Sequence, residues 1–449
     1  MQPDLFFARQ QMALSLGWHI VIACFGVGFP LLVLVAEWRG QRTGDETYEL
    51  LARRWAKALA VLFAIGAVSG TILSFEFGIL WPGLMGRFGA VFGFPFALEA
   101  IAFFLEAIFL GIYLYGWDRL SPRAHLLSAV PIVVSGAASA WFVVTANAWM
   151  NQPRGFTLLA DGTLTDPRPL AAIANAATPV QTTHMLLAAY MVTGFGVAAV
   201  YAGAMLRGRR DRYHRLGFVL SFSLGAALAL PQVVVGDWAA RFVAHRQPVK
   251  FAALEGIRRT TSGADLRIGG LTRADGSTIG ALTIPNGASL LAFHDPHHEV
   301  VGLDSVPPAD RPPVPIVRTA FQLMVLVGTA LVALSGWYGL VWWRRRRLPR
   351  ARLFLLAALA AGPAAVLALE CGWIVTEVGR QPWVVYRILR TADAVTHAPN
   401  IRFGYYALIA VYAVLTVATV FILRRLAAMP RPGHPEDEAP PAEPVPMAP

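Results

Sequence analysis

Two of the ten histidines in this 449-residue sequence, His19 and His184, lie inside long apolar runs. An ionisable group there costs several kcal/mol in a bilayer and usually marks function. Other out-of-place groups accompany them: Met324, Glu370, and the pair Glu99 and Glu106. Neutral imidazole is a natural ligand for haem iron, and a methionine sulfur completes a low-spin site. A spacing of seven puts Glu99 and Glu106 on one helical face, where two acids must find partners or carry protons. Each group also has a plainer reading. Membrane histidines join helices by hydrogen bonds, and methionine fills cores. Glu76 and Asp237, at the ends of apolar runs, read as interfacial, and the remaining histidines fall in loops, at helix ends or in the tail. Lys250 and Glu255, in VKFAALEGI, read either as a solvated amphipathic turn or as a donor and a proton acceptor for a polar head group. HDPHHE (His294–Glu299) has a metal-binding composition, but no helical spacing organises it.

Composition says what must position these residues. The chain is 56% hydrophobic and only 14% charged, against about 25% charged in soluble domains. Disorder, a disulfide framework and a nucleic-acid module are excluded. Cys24 and Cys371 form no CxxC pair, so neither a structural zinc nor a redox dithiol is supported. Apolar stretches long enough to cross a bilayer recur nine times: about Leu14–Ala36, Trp55–Leu80, Phe96–Tyr115, Leu126–Trp149, Val180–Leu206, Leu216–Trp238, Ile316–Trp343, Leu353–Thr376 and Phe403–Leu423. The fold expected is an all-α polytopic membrane bundle. Its segments are helices one to six within residues 1–238, an outer loop over 239–315, helices seven to nine within 316–425, and a proline-acidic disordered tail over 426–449.

The net charge of +11 is mostly topology. Arginines crowd alternate short loops: Arg39, Arg42, Arg53 and Arg54; Arg119 and Arg123; Arg207 to Arg215; Arg344 to Arg352; Arg424 and Arg425. The positive-inside rule then sets the N-terminus outside and the C-terminus inside. His19, Glu99, His184 and Met324 fall near the starts of inward-running spans, and Glu370 near the end of an outward-running one. All five lie in the outer half of the bilayer, as a cofactor layer near the outer face requires. Glu106 lies about 10 Å deeper than Glu99. A proton-relaying transporter and a haem-bearing, quinone-linked anchor that never meets oxygen are the competing classes at this point.

Longer motifs separate them. GWDRLSP (Gly116–Pro122), ANAWMNQP (Ala146–Pro153), VKFAALE (Val249–Glu255) and ECGWIVTEVGRQPW (Glu370–Trp383) resemble subunit I of cytochrome bd-type quinol oxidases. The resemblance runs in order from the N-terminus to about Arg425, and the short outer loop is similar to the cyanide-insensitive branch. It implies that His184 and Met324 are the axial pair of a low-spin haem b. His19 and Glu370 match axial ligands of two high-spin haems, a haem b and a haem d, with haem b in place of haem d in some relatives. Glu99 matches an acid beside that pair, itself a candidate ligand, and Glu106 the proton-path acid. Lys250 and Glu255 match the quinol-loop pair, and Arg380 lies in the GRQPW signature beside the haem propionates. Where the family often has arginine two residues before the ligating methionine, this sequence has Gln322, which leaves Arg318, one turn earlier, as the candidate for that role. The resemblance further implies quinol oxidation at the outer face of the bacterial cytoplasmic membrane. Oxygen is reduced to water with cytoplasmic protons, generating proton motive force without pumping. A homologous second subunit and a small single-span subunit are the implied partners, within membrane lipid and with no nucleic acid.

Overall fold

The computed structural model describes residues 3–273, 277–349 and 351–429. Thirteen α-helices occur among them: α1 Pro3–Thr43, α2 Glu46–Leu80, α3 Pro82–Gly116, α4 Pro122–Asn151, α5 Pro169–Ile173, α6 Thr178–Leu206, α7 Arg212–Arg246, α8 Pro248–Glu255, α9 Gly287–Phe293, α10 Val314–Arg345, α11 Arg352–Val378, α12 Thr391–Ala394 and α13 Ile401–Ala428. Nine of these are long and apolar enough to cross a membrane, and they correspond one to one with the nine apolar stretches. Most extend well past the stretch that flags them. α1 and α3 begin at Pro3 and Pro82, so His19 and Glu99 lie in mid-helix and not near helix starts, as the apolar runs alone suggest. The expected tail from Pro430 onward lies outside the described residues, while 426–428 continue α13.

Local chemistry sets the helix starts at one end of the bundle. Asp45, Ser121 and Asp211 each cap a helix by accepting from a backbone N–H in its first turn. Arg212 donates to Asp45, and Arg54 donates to carbonyls of Leu426, Ala427 and Met429 at the end of α13. The arginine-rich turns are thus knitted together at one end.

Packing follows two patterns. The helices α1–α2, α3–α4, α6–α7 and α10–α11 pack as neighbouring pairs, and α1 also packs on α4, α6 and α13. In the other pattern, α6 and α10 both pack on α7 and on α11, which closes a four-helix ring. Small residues let these backbones approach. A Cβ built on Gly194 of α6 would stand 2.5 Å from the Gly225 nitrogen of α7, so association here rests on close van der Waals contact.

At the opposite end from the arginines, the segment between α7 and α10 folds into a cap. Its strands are short antiparallel pairs: β3 (Thr261–Ser262) with β8 (Glu299–Val300), β4 (Leu266–Ile268) with β7 (Leu282–Ile284), and β5 (Leu271–Thr272) with β6 (Thr278–Ile279). Before them in sequence lie β1 (Thr157–Leu158) and β2 (Leu164–Thr165), and after them β9 (Trp383–Val385) and β10 (Leu389–Arg390). The cap has its own apolar core, formed by Phe251, Leu254, Ile257, Val300 and Leu303 against Val317 of α10.

Candidate redox and proton-transfer site

The four iron-ligand candidates stand on α1, α6, α10 and α11, each beside a glycine that makes room for it. A Cβ on Gly70 of α2 would lie 3.1 Å from the His19 ring, and His19 Nδ1 is 2.8 Å from Ser69 Oγ. A Cβ on Gly17 would lie 3.3 Å from Glu370 Oε2, and one on Gly372 would lie 3.3 Å from Met324 Sδ. Gly236 of α7 opens the flank of His184, whose ring meets Gln232 at 3.2 Å. Gly17 and His19 share one level of α1, as Glu370 and Gly372 share one level of α11, so His19, Glu370 and Met324 lie in one layer of the bundle. His19 and Glu370 nonetheless take different sides of α1, since two residues turn a helix by about 200°. His184 and Met324 stand on α6 and α10, the diagonal members of the four-helix ring.

Glu99 and Glu106 do share a face, and that face meets α4. Ser139 Oγ donates to Glu99 Oε1 at 3.3 Å, and the Glu106 carboxyl lies 3.2 Å from where a Cβ on Gly136 would be. Glu106 is buried and its Oε1 has no hydrogen-bond partner among the described residues. Orphaned polar atoms this deep are costly.

The cap separates two residues that the sequence places in one motif. Lys250 and Glu255 are five apart on α8, hence on different faces. Glu255 lines a cavity of 670 Å³ with Arg258, Arg259, Arg267, Asp265 and Thr278. Its Oε2 is buried without a partner, and burial pushes its carboxyl up to about 7 against the opposing pull of Arg318. Lys250 points the other way. Its Nζ donates to the Thr376 carbonyl at 3.1 Å and to Asn151 Oδ1 at 3.4 Å, tying α8 to the ends of α11 and α4. Burial, then the neighbouring Arg380, pulls its ammonium down to about 7, with Glu377 opposing.

The two arginines also part company. Arg318 Nη1 donates to the Gly269 carbonyl and Thr272 Oγ1, and Nη2 to the Arg267 carbonyl. Gln322 Oε1 accepts from Gly269 N at 3.0 Å. Both residues therefore hold the β4–β5 turn, with both terminal nitrogens of Arg318 bonded to the cap. Arg380, 2% exposed, donates to Glu377, while its Nε and Nη1 are buried without partners.

Several polar residues escaped the sequence reading. Glu76 is 4% exposed, with Ser15 and Gln11 of α1 against its carboxyl, so it is a core group and not an exposed one. Asp237, by contrast, is half exposed and paired with Arg241 at 2.6 Å. Asn147 donates to Glu377 and Gln247 to Asn151, completing a buried network around Arg380 and Lys250. His125, at the start of the fourth apolar stretch, is 2% exposed and bonded to Glu37 and Tyr113. In HDPHHE, His298 stacks on Phe293 and Asp295 accepts from His297 N, so these residues shape a turn.

A membrane bundle with nine long apolar helices among the described residues, imidazole, thioether and carboxyl donors in one layer, and above them a cap whose polar cavity holds Glu255 among arginines, has the build of an integral membrane redox protein. The sequence pattern of the cytochrome bd terminal oxidase subunit I family matches residues 7–430. A Bacillus subtilis (strain 168) chain named as a cytochrome bd menaquinol oxidase subunit I is 38% identical over 94% of this chain and 96% of its own length. The cytochrome bd-II ubiquinol oxidase subunit 1 of Escherichia coli (strain K12) is 26% identical over 94% of this chain and 96% of its own. The bd oxidase structure from Geobacillus thermodenitrificans superposes with a TM-score of 0.88 at 36% identity, covering 94% of this chain and 98% of that one. The chain belongs to the cytochrome bd terminal oxidase subunit I family, a family of quinol:oxygen oxidoreductases of the bacterial cytoplasmic membrane.

Haem is the family's cofactor, and the residues present fit it. A glycine stands against each of the four donors, and among the described residues Glu370 Oε1 is a buried oxygen without a partner and Arg380 Nε and Nη1 are buried without an acceptor.

Proposed function

We propose that the chain is the haem-bearing subunit I of a terminal quinol oxidase that takes electrons at the cap and reduces oxygen within the bundle. The observation that carries this is the stacking of two features: the Glu255 cavity in the cap, and beneath it the ring in which His184 and Met324 occupy diagonal helices. The quinol head group binds in that cavity, and the Glu255 carboxylate accepts its proton. Lys250 fixes α8 against α4 and α11, which keeps the cavity floor in place. His184 and Met324 would hold a low-spin haem b, and His19 and Glu370 the two high-spin haems, b and d (or b in its place), with Glu99 beside them. Arg380 would meet the haem's acidic groups. When bound, haem would supply one-electron transfer and the reduction of oxygen.

Protons for water formation come from the side bearing the arginine-rich turns, read as the cytoplasm by the positive-inside rule, which puts the N-terminus outside. Glu106 and then Glu99 pass them along the α3–α4 interface. Quinol protons leave on the opposite side, so charge separates without a pump. A homologous subunit II completes the assembly, and a small single-span subunit is a further partner. The test is a reduced-minus-oxidised absorbance spectrum of the purified complex, with oxygen consumption on a soluble quinol. Haem bands and quinol-dependent uptake are expected; a protein without haem bands refutes the reading.

A further inference from the structure

Between α1, α3 and α4, at the arginine-rich end, lies a buried cluster that no haem or quinol role uses. Tyr113 Oη donates to Glu37 Oε2 at 2.7 Å, and His125 Nδ1 lies 2.8 Å from Glu37 Oε1. The other imidazole nitrogen, Nε2, meets the Tyr113 carbonyl at 2.9 Å. All three side chains are nearly inaccessible: Glu37 is 3%, His125 2% and Tyr113 0% exposed. Three protonatable groups from three helices in an apolar bundle are an expensive way to join helices.

Their register is informative. Tyr113 is seven residues beyond Glu106, as Glu106 is seven beyond Glu99, so all three occupy one face of α3. Each step is about 10 Å along the axis. α4 opposes that face with His125 at Tyr113, Gly136 at Glu106 and Ser139 at Glu99. The face thus carries a protonatable or hydroxyl group at every second turn, from the arginine-rich end to the haem layer. The cluster also reaches water. Exposed Gln41 donates from Nε2 to Glu37 Oε1 at 2.9 Å and to the Pro122 carbonyl at 2.7 Å. The charged groups facing it from α2 and the α3–α4 turn are Arg53, which lies 4.1 Å over the Trp117 ring, Glu49, paired with Arg53 at 2.8 Å, and Asp118 at 4.0 Å from Arg53.

The geometry points to the Glu37–His125–Tyr113 cluster as the inlet that loads protons onto the Glu106–Glu99 route, an inference that rests on the oxidase reading above. A proton from water at the Gln41 surface is held between Glu37 and His125. It leaves past Tyr113 along this face of α3 toward Glu106, whose carboxyl sits against Gly136 of α4, and the cluster returns to its starting charge. Glu37, His125 and Tyr113 are positioning and relay residues; none touches a donor to iron.

The experiment uses the intact complex in vesicles enclosing a pH dye, with the arginine-rich side inward. Proton uptake from the lumen is followed during one round of oxygen reduction, together with the haem spectrum and the solvent deuterium isotope effect. Glu37→Gln is expected to slow lumenal uptake by about a hundredfold, the scale of a lost proton-transfer group, with haem bands unchanged and the isotope effect enlarged. Glu37→Asp restores most of the rate. Tyr113→Phe, which keeps the ring packing, slows uptake by about tenfold. Unchanged uptake in Glu37→Gln with intact haem bands overturns the inlet. So does loss of assembly in Glu37→Gln together with wild-type uptake in Tyr113→Phe, which marks the cluster as structural. If the wild-type complex reduces oxygen without lumenal uptake, the Glu106–Glu99 route from that side fails and the inlet with it; if it reduces no oxygen on quinol, the oxidase reading itself fails, so the failures are distinct.

Discussion

The α3–α4 interface and the α6–α7–α10–α11 ring are built from equally apolar helices, yet they keep opposite kinds of polar residue. Along α3 and α4 the polar groups are carboxyls, hydroxyls and an imidazole, spaced by two turns, each facing a serine, a glycine or a partner. In the ring, an imidazole and a thioether, His184 and Met324, are each set against a glycine of a neighbouring helix. Under the proposed function the first arrangement would pass protons in short steps, and the second would hold a haem between two donors. Low hydropathy at a position therefore says little about role; the size and chemistry of what faces it says much more.

The sharpest way to break that contrast is Met324→Leu. Removing the sulfur should abolish the low-spin haem signal in the reduced spectrum while leaving the α3–α4 acids untouched; an unchanged spectrum refutes the ligand. Glu106→Gln should do the reverse, cutting oxygen turnover by about a hundredfold with every haem band in place. In the cap, Glu255→Gln should lower quinol oxidation by about tenfold or more. Below about 7 the Glu255 carboxyl holds its proton and cannot accept another. Wild-type quinol oxidation should therefore climb as pH rises through that value, and the variant should lose the climb. Lys250→Met tests whether the two cap residues act apart: it removes hydrogen bonds worth about 1–3 kcal/mol and should lower thermal stability more than it changes the pH profile. The smallest effect is Gly256→Ala. At φ +72°, with Arg318 Nε 3.2 Å from a new Cβ, it should cost about 1 kcal/mol in thermal unfolding and loosen the cap cavity.

Periodicity made the shared face of Glu99 and Glu106 legible, but not that the face continues to Tyr113, because a tyrosine near a helix end is ordinary until His125 and Glu37 are found against it. Glu76 looked interfacial because it lies in the last turns of its apolar stretch, whereas Gln11 and Ser15 of α1 and Tyr412 of α13 lie against it. Lys250 and Glu255 stand in one short motif, yet five residues on a helix turn them to different neighbours.

By itself the sequence determined the nine spans, the crowding of arginines in alternate loops and the family motifs. These rest on composition and one-dimensional spacing, which the bilayer enforces residue by residue. Tertiary structure alone decided that Arg318 and Gln322 bond to the cap, that Arg380 Nε and Nη1 have no acceptor among the described residues, and that Glu37, His125 and Tyr113 meet. Those facts depend on which helix faces which, and that is set by glycine contacts and buried hydrogen bonds between residues far apart in the chain.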